Sequence, residues 1–126
     1  MSAKRQEVIN NTFTCIMEIL QNSELRKTLF WPDNDFIAGW DNFGKNDVIC
    51  VNVFASPPIN LVQFNIYGSS IKRIRDQDMA IKKLFHQTIY NEIYFELEME
   101  LSYSSLAQPH FNGRIGMVTS RFNFST

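Results

Sequence analysis

Residues 93–101 read Ile-Tyr-Phe-Glu-Leu-Glu-Met-Glu-Leu. Ile93, Phe95, Leu97, Met99 and Leu101 alternate with Tyr94, Glu96, Glu98 and Glu100, and a period of two is that of a strand with one face in a core and the other toward water or a partner. Such a strand needs neighbours in a sheet and a layer to cover its apolar side. Downstream, Asn112-Gly113 offers the positive backbone angles of a tight hairpin turn, so a returning strand is expected over Arg114 to Phe124, after a loop from Ser102 to Phe111. Upstream, Val48 to Ala55 and Ile59 to Tyr67 flank Ser56-Pro57-Pro58. Their β-branched composition and the rigid connection predict a pair of buried strands. Phe36, Ala38 and Trp40 share one parity ahead of turn residues Gly44 to Asp47, which adds one more expected strand.

The covering layer comes from segments with a longer period. Val8, Ile9, Phe13, Ile16, Met17 and Leu20 recur at steps of three and four, predicting a helix from Ala3 to about Gln21. Ser23 opens a short second helix, and Pro32 ends the helical region near Trp31. Ile71 to Arg75 reads as an edge segment, followed by a helix capped by Asp76 or Asp78 that carries Met79, Ile81, Leu84, Phe85 and Ile89 inward. The order predicts an α+β domain over 1–126: N-terminal helices and one later helix packed on one side of an antiparallel sheet of about five strands.

Composition agrees with one domain and narrows the classes of function. A length of 126 residues fits a single domain, and 44% hydrophobic with 20% charged residues permits a buried core. A net charge of −1 excludes a uniformly basic nucleic-acid binder and a strongly acidic mimic. No apolar run approaches the roughly 18 residues of a membrane span, and Met1 to Glu7 lacks the apolar stretch of a secretory signal. The expected location is cytoplasmic. Cys15 and Cys50, both flanked by apolar residues, read as buried free thiols.

Local charge is uneven although the total is balanced. Lys72, Arg73, Arg75, Lys82 and Lys83 against Asp76 and Asp78 give +3 over residues 72–83, whereas Glu92, Glu96, Glu98 and Glu100 give −4 over residues 84–101. On a strand, Glu96, Glu98 and Glu100 stand about 7 Å apart in a row, where neighbours repel by about 0.6 kcal/mol in water. The row is either a solvated face balanced by a nearby arginine or a surface for a cationic partner. Arg114 and Arg121 have opposite parity, so without a bulge only one can share the glutamate face. A second acidic stretch surrounds large rings: Trp31, Phe36, Trp40 and Phe43 lie among Asp33, Asp35, Asp41 and Asp47. Aromatic residues with acidic neighbours fit an interface, although rings at a strand entry also fit a core.

Support for catalysis is thin. Three equivalent glutamates on an open strand lack the unequal environments that a carboxylate acid–base pair needs. His86 and His110 have no second ligand at metal-binding spacing, and the five glycines form neither a phosphate loop nor a dinucleotide fingerprint. Asp76 and Asp78 interrupt the lysine–arginine cluster that phosphates would need. No catalytic residue, metal or cofactor is expected.

The short α+β plan, the abundant aromatics and the acidic stretches Asp33-Asn34-Asp35 and Tyr94-Phe95-Glu96-Leu97-Glu98-Met99-Glu100 resemble the small immunity proteins of bacterial polymorphic toxin and contact-dependent growth inhibition systems. The resemblance implies a cytoplasmic protein that is not an enzyme. It implies binding of one cognate toxin domain, frequently a nuclease, whose active site is blocked by occlusion. It implies no direct nucleic acid, no membrane, and a monomer or homodimer. The expected contact residues are Tyr94, Glu96, Glu98, Glu100, Trp31, Asp33, Asp35, Trp40 and Asp41. The helix–strand order is also similar to nuclear-transport-factor-2-like domains, which implies a ligand pocket or small enzyme site. Phe13, Trp40, Phe54, Phe64, Phe95 and Phe122 would line it, with Asp35 or His86 as the polar group.

Overall fold

The computed structural model describes residues 2–27, 29–31, 47–56, 59–68, 70–108 and 113–126. Helix α1 (Ser2–Gln21) turns Thr12, Cys15, Ile16 and Leu20 inward, a spacing that defines one face. Beyond it, Ser23 Oγ accepts the Leu25 N–H at 3.0 Å and opens a 3₁₀ turn, Glu24–Lys27. The second helical segment is shorter than the sequence reading expects. Leu29–Trp31 forms strand β1 instead, in parallel register with Val48–Cys50. Pro32 disfavours helical geometry in the residue before it, so Trp31 is extended rather than the last residue of a helix. The strand expected around Phe36–Trp40 lies outside the described residues.

Strands β2 (Val48–Ser56) and β3 (Ile59–Gly68) form the expected antiparallel pair. Helix α2 (Ile71–Phe85) begins five residues before Asp76, which corrects the expected edge segment Ile71–Arg75. Ser70 is its cap, with Oγ accepting the Arg73 N–H at 3.3 Å. Asp78 is not a cap but a buried mid-helix residue, and Met79 points outward at 57% exposure. The inward face is Ile74, Asp78, Ala80, Ile81 and Phe85. Ile89, expected on that helix, instead belongs to β4 (Thr88–Tyr90) and is exposed. Asn91 and Glu92 have φ of 50° and 67°, the left-handed pair of a tight hairpin turn. They lead into β5 (Ile93–Gln108), which pairs with β6 (Gly113–Ser125). Residues 102–108, expected as a loop, continue β5 because pairing with β6 sustains the ladder as far as Gln108↔Gly113.

The six described strands run β1-β2-β3-β6-β5-β4. Strands β2 to β6 pair antiparallel with one another, and β1 adds a short parallel edge against β2. The architecture is α+β, with α1 against β2 and α2 against β3, β6 and β5. Buried residues of both helices join Ile49, Val51, Phe64, Phe95 and Phe122 in one core. Its centre is aromatic: Phe85 lies 5.2 Å from both Phe64 and Phe95, ring centre to ring centre, and Phe64 meets Phe122 edge-on at 5.7 Å. Each fully buried phenylalanine contributes about 1.5–3 kcal/mol by leaving water.

A candidate protein-binding face

The register of β5 against β6 decides where the glutamates stand. Glu96 lies opposite Asn123 and Leu97 opposite Phe122, but the next pair is Met99↔Arg121. Glu98 is the extra residue of a β-bulge, and the bulge reverses parity. Position 100 therefore comes opposite Ser120, which belongs to the helix-covered face with Phe122 and Phe124. The expected uninterrupted row is corrected: the register shifts at Glu98, between Glu96 and position 100. An uninterrupted apolar–polar alternation carries no mark of an inserted residue, so the sequence could not show this.

Glu96 and Glu98 are exposed, and Tyr94, opposite Ser125, is half-buried. Among the described residues neither glutamate makes an ion pair. Arg121, the candidate internal counterion, turns the other way. Its Nε and Nη2 donate to Gln63 Oε1 at 3.3 and 3.1 Å on β3. Gln63 Nε2 in turn donates to Asn65 Oδ1 at 3.2 Å, and Thr119 Oγ1 donates to the same oxygen at 2.8 Å. This ladder holds the guanidinium over β3, away from β5. Arg114 lies opposite Ala107, well along the hairpin from Glu96.

Among the described residues, no strand continues along the edge of the sheet beside these glutamates. β4 pairs only with Ile93–Phe95 of the 16-residue β5. The next outward amide, Leu97 N–H, donates to His86 Nδ1 at 3.1 Å. His86 thus satisfies a strand edge. Past that point no described strand pairs along the outer side of β5.

Other expected contact residues separate. Trp31 lies in β1, opposite Cys50, at the far end of the strand order from β5 and β4. Asp33, Asp35, Trp40 and Asp41 lie outside the described residues. Asp47 is a structural residue whose carboxylate accepts from Arg73 Nε and Nη2 at 3.1 and 3.2 Å and from Gln77 Nε2 at 2.8 Å. It ties the first turns of α2 to the end of the β2–β3 pair.

Of the rings proposed for a ligand pocket, Trp40 lies outside the described residues, and the others are placed as follows. Phe64, Phe95 and Phe122 belong to the mutually contacting aromatic core, Phe13 packs against that core, and Phe54 lies on the opposite face at 48% exposure. A second buried polar group lies under α2. Lys82 Nζ is 2.7 Å from Asp78 Oδ2, and Ser120 Oγ donates to Asp78 Oδ1. With Ser120 wholly buried, this group joins helix to sheet and presents no hydroxyl to a substrate. Among the described residues no cluster of three or more His, Cys, Asp or Glu could hold a metal ion, and no helix is long and apolar enough to cross a membrane.

No family model, curated protein or solved structure matches the chain. The geometry of the open β5 edge and the second sheet face therefore carries the functional reading.

Proposed function

We propose that the chain is an immunity protein that binds a cognate bacterial toxin domain and blocks it by occlusion, with Tyr94, Glu96 and Glu98 at the contact. The observation that carries the reading is that Glu96 and Glu98 are exposed, without an ion pair among the described residues, beside a strand edge that β4 leaves open. A toxin that acts on nucleic acid presents a cationic substrate surface, because phosphate binding requires one. Two exposed carboxylates speed encounter with such a surface, and a half-buried tyrosine adds contact area at low entropic cost. Occlusion asks for no chemistry from the inhibitor.

The test is co-expression with the variable C-terminal domain of a secreted protein encoded immediately upstream. The chain should protect cells and co-purify with that domain. Glu96→Lys combined with Glu98→Lys should fold, as circular dichroism would report, yet protect poorly. Full protection by the double variant would show that the contact lies elsewhere.

A further inference from the structure

We propose that a second copy of the chain docks on the open half of the sheet face opposite the helices, pairing Arg121 of each copy with Glu96 of the other. The inference does not depend on the toxin reading. Residues of this face change in burial along the strands. Val48, Cys50, Asn65, Tyr67 and Thr119 are buried at one end, whereas Phe54, Asn123 and Glu96 are exposed at the other, with Leu61, Gln63 and Arg121 between. Phe54 and Leu61 are directly opposite each other on β2 and β3, so the open half carries an apolar pair beside charges.

The charges are self-complementary. Glu96 faces Asn123, and Arg121 stands two residues from Asn123 on the same strand, making Glu96 and Arg121 diagonal neighbours at about 7–8 Å. They do not pair within one copy, because both Arg121 contacts go to the neutral amide oxygen of Gln63. A guanidinium has five N–H donors, so it keeps donors for an outside carboxylate. A two-fold axis lying in the interface, midway between the two residues, sets each arginine over the partner's glutamate. Both signs are then cancelled with one symmetry operation, the commonest arrangement of homo-oligomers. A uniformly cationic or anionic protein would leave one of the two charges covered and unpaired, which costs more than it gains. Edge-to-edge pairing of β5 strands is disfavoured instead, since it brings Glu96 and Glu98 of both copies together. Because Glu96 also belongs to the proposed toxin contact, a toxin domain would displace the second copy.

The test is sedimentation equilibrium of the purified chain from about 1 to 300 µM at low and high salt. A dimer should form at low salt and weaken on adding salt. Arg121→Glu and Glu96→Arg should each raise the dissociation constant at least tenfold, and the two together should restore it toward the wild-type value. That restoration separates lost pairing from lost folding. A wild-type chain that stays monomeric to 300 µM, or a dimer that neither single reversal weakens, would overturn the proposal.

Discussion

The two faces of one sheet use aromatic residues in opposite ways. Under the helices, Phe64, Phe95 and Phe122 are fully buried and meet at the buried ring of Phe85. On the other face Phe54 is nearly half exposed, and the residues around it are bound to one another by amide and guanidinium hydrogen bonds. Hydrophobic burial stabilises the first face. The second is organised by polar groups that fix one another's direction, which adds little to stability but sets which charges point outward. Substitutions should therefore change stability on the helix side and association on the open side.

Phe85→Ala is the severest break expected. It removes the ring that touches Phe64, Phe95 and Phe122 and should cost about 3–5 kcal/mol in urea unfolding. Asp78→Ala should follow at about 3 kcal/mol, because it removes the buried carboxylate on which Lys82 Nζ and Ser120 Oγ converge. Asp78→Asn, which retains an acceptor for Ser120, should cost less. Gly68→Ala tests the join between faces and helix: a Cβ there would lie 2.5 Å from Asp47 Oδ1 and 2.7 Å from Ile74 Cγ2. An overpacking loss of about 1–3 kcal/mol is expected. Phe54→Ala on the open side should stay within about 0.5 kcal/mol of wild type.

The buried end of the second face has its own pH signature. Burial pushes the Tyr67 phenol up from 10.0 to about 12, with Cys50 adding to the rise. An unfolded tyrosine ionises near pH 10 while the folded one holds its proton, so stability present below pH 10 should be lost as pH rises toward 12. Absorbance titration at the phenolate band should show a late-ionising tyrosine that Tyr67→Phe removes. A normal titration at that position would place Tyr67 in water.

Where one periodicity governs a whole element, the sequence foretells it. The first helix and the opening of β5 follow from apolar spacing, and the β2–β3 pair follows from β-branched composition on either side of Pro57-Pro58. Boundaries set by one residue are harder to read. Ser70 caps α2 although Asp76 and Asp78 look like equivalent caps, and a three-residue β1 is too short to establish a period. The site is legible in its chemistry and not in its geometry. Exposure of Glu96 and Glu98 follows from alternation, whereas the bulge at Glu98 and the turn of Arg121 toward Gln63 depend on pairing between distant strands. Composition alone groups Trp31 with the glutamates, and strand order separates them.

The central claim is that the open side attracts a cationic toxin domain through Glu96 and Glu98. Stopped-flow association with that domain across a salt series measures it most directly. The wild-type rate should fall steeply with salt, and the Glu96→Lys/Glu98→Lys rate should be at least tenfold lower at low salt with a flatter dependence. Identical rates and salt slopes for the two proteins would contradict the claim.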